Sequence, residues 1–194
     1  MSTTSHKGTL YLVPTPLDFG CDASQTTPLS RVLPEHTVAV AAGLTHWITE
    51  NAKSTRAFIK RVGEMLPLAA PLQAQQITEL PREVHKKGDH APGGPDAKPL
   101  LAAALQGHDV GLVSEAGMPA IADPGGSVVR AAHELGLNVV PLVGPLSLML
   151  ALAGSGLNGQ HFAFVGYLPQ DPAARTQRIR ELEALSLKTG QTQI

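Results

Sequence analysis

Gly111-Leu-Val-Ser-Glu-Ala-Gly-Met-Pro-Ala-Ile-Ala-Asp-Pro-Gly125 changes character twice within fifteen residues. Its first residues complete the run Asp109 to Val113, a short apolar stretch that predicts a strand. Ser114 to Pro119 then breaks into a loop punctuated by glycine and proline. Asp123-Pro124 reads as a helix N-cap followed by proline at the first helical position, with the helix expected over Gly125 to Leu135. Leu137 to Pro141 is the next expected strand. Strand, loop, helix and strand in that order form a βαβ unit, which implies two parallel strands joined by a crossover.

The same pattern extends in both directions. Thr9 to Val13 predicts a strand halted by Pro14-Thr-Pro16, and His46 to Thr49 a strand ending at Glu50-Asn51. Ala52 to Gly63 places Ala57, Phe58 and Val62 among Lys53, Arg56, Lys60 and Arg61, the pattern of an amphipathic helix. Leu29 to Leu33 suits one or two helical turns, and Thr37 to Ala42 fits strand or helix equally. A strand is expected at Ile77 to Leu80, a loop over Lys86 to Pro95, and helices at Lys98 to Gln106, Leu146 to Ala153 and Pro172 to Leu187, with a strand at His161 to Val165. Alternation from end to end predicts an α/β chain with a mostly parallel sheet. Its expected domains are residues 1–144 and 145–194, each α/β.

Composition narrows the class. The chain has 194 residues, 15 basic against 16 acidic, a net charge of −1 and 43% hydrophobic residues. That excludes bulk disorder and a chain held on nucleic acid by overall charge. The single cysteine, Cys21, excludes an internal disulfide framework and fits a reducing compartment. Met1 to Lys7 is polar and has no signal-peptide pattern. Val139 to Leu157 is uncharged and long enough to span a bilayer. Pro141, Gly144, Pro145, Gly154 and Gly156 break it, so a strand, loop and buried helix are expected instead. Charge is uneven: residues 51–98 carry eight basic and five acidic residues, whereas 99–170 carry one basic and four acidic. The basic residues form either a solvated face or a patch for an anionic substrate.

Ligands of open α/β sheets bind beyond the carboxyl ends of the strands. Four such ends carry glycine- and proline-rich loops: Pro14 to Leu17, Ser114 to Pro119, Val143 to Ser147 and Gly166 to Pro169. No GxxxxGK[ST] loop or HExxH pair is present and no GxGxxG opens a helix, so ATP, NAD and zinc have no motif support. His85 and His90 lack metal-type partners, and the Gly-x-Ser-x-Gly elbow of α/β hydrolases is missing. Glu50 and Glu115 are the carboxylates best placed at strand ends to bind or deprotonate a nucleophile, or to serve as capping or surface acids. Asp123 reads as a helix cap rather than a catalyst. Trp47 and Tyr167 could stack on a base or adenine, and core packing also suits Trp47.

Together the segments Gly8 to Pro16, Gly111 to Gly125, Val139 to Ser147 and Phe162 to Pro169 resemble the tetrapyrrole methylase superfamily, whose members are S-adenosylmethionine-dependent methyltransferases of two α/β domains. The branch that is most similar contains the 16S ribosomal RNA 2′-O-ribose (cytidine) methyltransferases and their paralogues. The resemblance implies a cofactor folded in a cleft between the domains. Pro16 and Leu17 would border it, and Ser114, Ala116, Gly117, Met118, Ile121 and Ala122 would hold its methionine part. Ser147, Leu148, Val165, Gly166 and Tyr167 would approach from the second domain. A sulfonium methyl donor requires in-line placement in a water-poor site, to which rigid loops are suited.

The chain departs from its branch in two places. Glu50-Asn-Ala-Lys53 stands where the ribosomal RNA enzymes carry Glu-Asp-Thr-Arg, and nothing in 81–96 matches their His-Asn-Glu motif. Gly117-Met-Pro119 also lacks the aspartate of the tetrapyrrole-modifying members. The resemblance therefore implies S-adenosylmethionine as cofactor, with RNA or a ribosomal subunit as the leading partner and a small-molecule acceptor or a catalytically silent paralogue as alternatives. It further implies a homodimer, a cytoplasmic location, no membrane, no metal, and a second domain with a mixed sheet that is cut short at Ile194.

Overall fold

The computed structural model describes residues 6–81, 89 and 96–194. The expected loop over Lys86 to Pro95, with His85 and His90, lies outside the described residues apart from Asp89. Five parallel strands form the main sheet: β1 (Thr9–Leu12), β2 (His46–Thr49), β3 (Gln76–Glu79), β4 (Val110–Val113) and β5 (Asn138–Pro141). Their order is β3-β2-β4-β1-β5. Helices cover both faces, as parallel sheets require.

On one face α1 (Glu35–Gly43) and α2 (Ala52–Gly63) pack Val38, Ala41, Phe58, Ile59 and Val62 onto Val13, Trp47 and Val113. On the other, the 3₁₀ turn Lys98–Leu101, its continuation α3 (Ala102–Leu105), and α4 (Gly126–Glu134) pack Leu101, Ala104, Val128 and Ala132 onto Leu10, Ile48, Val110 and Leu112. Period-two alternation along β4 explains the split: Val110 and Leu112 join one core and Val113 the other. Gly111 shares Val113's face because a Cβ there would lie 2.7 Å from the Trp47 ring and 2.9 Å from Leu44. Trp47 is a core residue, its indole N–H donating to Gln75 Oε1 at 2.8 Å.

Three sequence readings change. Thr37 to Ala42 is helical, because Thr37, Val38, Ala41 and Ala42 recur at helical spacing and bury one face. Lys98 to Gln106 is a 3₁₀ turn before a single α turn, with Pro99 in the first turn. Asp123 does not cap α4, and Pro124 precedes it. The N-cap is Gly125, at φ 129°, and the Asp89 carboxylate Oδ2 accepts from the Gly125 and Ser127 amides, both at 2.8 Å. A remote carboxylate has taken the local one's place.

Contacts divide the chain into two compact units, Met1–Pro145 and Leu146–Ile194. The second holds α5 (Ser147–Ser155), β6 (Phe162–Ala163), α6 (Pro172–Thr189) and β7 (Thr192–Gln193). Its sheet is one parallel pair, β6 with β7. Asp171 caps α6 by accepting from the Ala174 amide at 2.8 Å, with Pro172 in the first turn. No helix among the described residues is long and apolar enough to cross a membrane.

Candidate functional site

Neighbouring strands β1 and β4 send the chain to opposite faces of the sheet, towards α1 and α4 respectively. Their loops diverge above the carboxyl edge, and such a switch point opens a crevice. Here the two loops are clamped together. The Thr15 amide donates to the Gly117 carbonyl at 2.9 Å, and the Gly117 amide returns a bond to Thr15 at 3.0 Å. Gly117 takes φ +77°, which favours glycine, and a Cβ there would lie 3.2 Å from the Leu17 side chain. Ala120 and Ala122 also have positive φ, 66° and 61°. Each such alanine costs about 1–2 kcal/mol. Backbone strain of this kind concentrates at binding sites.

Beside this clamp the first unit has an open cavity of about 440 Å³. The loop after β1 contributes Thr15, Pro16, Asp18, Phe19, Gly20 and Thr26; α2 and its cap contribute Asn51, Lys53, Ser54, Thr55, Ala57, Phe58 and Arg61; the loop after β4 contributes Ser114 and Glu115. The walls therefore mix hydroxyls and aromatic rings with two cations and two carboxylates.

Arg61 organises one side. Its guanidinium grips Asp18 through both nitrogens, at 3.1 and 3.0 Å, and donates to the Thr27 carbonyl at 2.7 Å. Asn51 organises another: its side-chain oxygen accepts from the Lys53 and Ser54 amides at 2.9 and 3.3 Å, while Glu79 accepts from Ala52 at 2.8 Å. The first amides of α2 are thus satisfied internally. Burial pushes the Asp123 carboxyl above the ordinary aspartate range. A hydrogen bond from Ser114 opposes that rise, and the neighbouring Glu115 charge adds to it.

Of the residues singled out from sequence, Pro16, Ser114 and Glu115 line this cavity, and Leu17, Ala116, Gly117 and Met118 surround the clamp. Ile121 is exposed on the strained loop beside Ala122. Glu50 is outside the cavity lining, and its neighbour Asn51 stands there instead. In the second unit, Ser147 and Leu148 open α5. Val165 and Gly166 line a separate cavity of about 360 Å³ with Leu168, Ile179 and Leu182. Tyr167 is 82% exposed and meets Phe164 edge-on at 6.3 Å.

Sequence reasoning passed over Asp18, Phe19 and Arg61 as site residues. Asp18 and Arg61 lie 43 residues apart, so no local spacing could have linked them. Lys53 was visible in the basic helix and in the Glu50-Asn-Ala-Lys53 segment, but not as part of this cavity.

No family model matches the chain. Among curated proteins it is 32% identical over 178 residues to "Ribosomal RNA small subunit methyltransferase I" of Xylella fastidiosa, covering 92% of this chain and 55% of that protein. The protein of the same name from Pseudomonas aeruginosa is 34% identical over 176 residues, 91% of this chain and 53% of its own length. That from Leptospira biflexa is 29% identical over 188 residues, 95% and 67% respectively. The chain spans about half the length of the first two relatives. In sequence, then, it is similar over most of its own length to proteins named ribosomal RNA small subunit methyltransferase I, at 29–34% identity.

Proposed function

We propose that the chain is the S-adenosylmethionine-binding part of a methyltransferase that acts on RNA, with ribose 2′-O-methylation of ribosomal RNA as the leading reaction. The observation that carries this reading is the Thr15–Gly117 clamp at the switch point, which joins the loop after β1 to the 111–125 block, two of the segments that carry the family resemblance. The relatives' names agree with it. A cytoplasmic location and a homodimer belong to the same reading.

The residues fit the cofactor. The clamp loop has only a hydrogen at Gly117, positive-φ turns at Ala120 and Ala122 that redirect peptide groups, and two carboxylates, Glu115 and Asp123, beside it. Peptide groups suit an amino-acid moiety, and carboxylates favour a nearby sulfonium charge. Pro16, Leu17, Ser114, Ala116, Gly117, Met118, Ile121 and Ala122 would hold it from the first unit, and Ser147, Leu148, Val165, Gly166 and Tyr167 are the second unit's own candidate residues for the cofactor. Bound S-adenosylmethionine supplies an electrophilic methyl group.

The chain's own residues do the rest. Glu115, on the cavity wall, accepts the proton of the acceptor hydroxyl as that oxygen becomes a nucleophile. Asp123 orients the Ser114 hydroxyl beneath it. Arg61 holds the Asp18–Thr27 segment, which forms one wall of the cavity. Glu50 adds a second carboxylate at the same sheet edge.

Titration calorimetry with S-adenosylhomocysteine tests the cofactor, and methyl-labelled S-adenosylmethionine incubated with ribosomal subunits and with bulk tRNA tests the acceptor. Binding together with label in RNA is expected. No binding sinks the reading, whereas binding with label only in small molecules overturns the RNA assignment.

A further inference from the structure

Three exposed cations lie along α2: Lys53, Arg56 and Lys60. At 3.6 residues per turn they fall within about 60° of the helix circumference and extend about 10 Å along its axis. Lys53 lines the cavity, and Ala57 and Arg61, on the adjoining strip of the helix, line it too. The stripe therefore runs from the cavity mouth outward. Some of the remaining cations are engaged, Arg61 with Asp18, Lys98 with Glu134, Arg178 with Glu181 and Lys7 with the Leu135 carbonyl, whereas Arg31 and the α6 residues Arg175, Arg180 and Lys188 are exposed without a side-chain partner among the described residues and do not line the cavity. The side chains of Lys53, Arg56 and Lys60 have no ion-pair or hydrogen-bond partner among the described residues. The opposite edge of the helix is apolar and buried, through Thr55, Phe58, Ile59 and Val62, which fixes the direction in which the stripe faces.

We propose that this stripe is the docking surface for the phosphate backbone of single-stranded RNA, leading the strand to the cavity. The inference rests on the RNA reading above and adds where the strand lies. Charge complementarity carries it. Three unpaired cations spread over about 10 Å match two or three successive phosphates, and phosphate contacts position a nucleic acid without reading its sequence. The amides at the start of α2 are already occupied by Asn51 and Glu79, so the side chains, not the helix end, supply the attraction.

The test is fluorescence anisotropy with a 20-nucleotide unstructured RNA, titrated from 50 to 200 mM salt. For single strands each lost contact reduces the slope of log K against log salt by about 0.7. R56Q/K60Q should therefore lower the slope by about 1.4, and adding K53Q by about 2.1; over a fourfold salt range these are about 7-fold and 18-fold less salt sensitivity. R56Q/K60Q should bind S-adenosylhomocysteine as the parent does, showing an intact fold. R175Q/R180Q/K188Q, which removes the same charge from α6, should change the slope by less than one contact. If the parent binds RNA and the stripe variants keep its slope, or the α6 variant loses as much, the docking assignment is overturned while the RNA reading stands. If the parent binds cofactor but no RNA, both fall.

Discussion

Replacing Arg61 with alanine tests whether the cavity wall is braced as the geometry indicates. The Arg61 and Asp18 side chains are 26% and 15% exposed, between a surface pair and a buried one. Exposed pairs contribute about 0.2–1 kcal/mol, and a hydrogen bond to a charged group about 1.5–3 kcal/mol when well shielded. The two parallel bonds favour the upper part of that range, and the rotamer freedom that Arg61 loses, about 2 kcal/mol, favours the lower. A net coupling of about 1–2 kcal/mol follows for Arg61 with Asp18. Arg61→Ala also releases the Thr27 carbonyl, so the single variant should lose about 2–3 kcal/mol. The assay is a double-mutant cycle with Asp18→Ala under urea, followed by the fluorescence of Trp47, the only tryptophan, which lies in the first unit's core. Arg61→Lys should recover less than half, because an ammonium cannot make the forked contact. A coupling below about 0.3 kcal/mol would refute the brace, because that is the value of an idle surface pair.

Four further outcomes follow from the same geometry. Asp89→Ala should cost about 1–2 kcal/mol and Asp89→Asn much less, with hydrogen exchange at Gly125 and Ser127 rising only in the alanine variant. Gly111→Ala should destabilise by about 1–3 kcal/mol or more, since its Cβ would overlap the Trp47 ring; a urea midpoint within error of the parent would show that the core yields there. Because the folded state raises the Asp123 pKa, it binds that proton more tightly than the unfolded chain, so the group's contribution is present at low pH and lost as pH climbs from about 3.9 through the raised value. Asp123→Asn should therefore gain stability relative to the parent at pH 7 compared with pH 3, and equal differences at both would contradict the burial. Asn51→Asp should keep α2 capped, with a stability change of a few tenths of a kcal/mol, yet weaken RNA binding by placing a third carboxylate on the cavity wall.

What could be read ahead of the structure followed the range of each interaction. The bounds of β2 and α2 were legible because a β-rich run, its end at Glu50-Asn51 and a 3.6-residue apolar period all occur within eighteen residues. Position 37–42 was ambiguous because its β-branched residues favour a strand and its alanines a helix, and only packing against β-sheet side chains decides. The misreading of Asp123 has a similar cause. Asp-Pro before a helix is a strong local signal, but Gly125 turns the chain at φ 129° and leaves its amides facing Asp89, 36 residues away. The site divides likewise. Its loops announce themselves through glycine and proline, whereas the Arg61–Asp18 brace and the cavity wall it holds exist only once α2 lies beside the β1 loop.

Asn51 shows how one substitution can satisfy stability and site chemistry separately. As a helix cap, aspartate and asparagine are nearly equivalent, and aspartate gains slightly from the helix dipole. Stability alone therefore gives no reason for the neutral residue. The cavity does. Asp18 is neutralised by Arg61, which leaves Glu115 and Lys53 as the other charged residues of the cavity lining. An added charge at position 51 would lie within the same turn as Lys53 and cancel much of the attraction with which the α2 stripe begins. The acidic residue that the ribosomal RNA branch carries there suits a different balance of charge. The asparagine keeps the cap and leaves Lys53 free to meet an anion, so the departure from the family's motif is better explained as retuning of the acceptor side than as loss of the site.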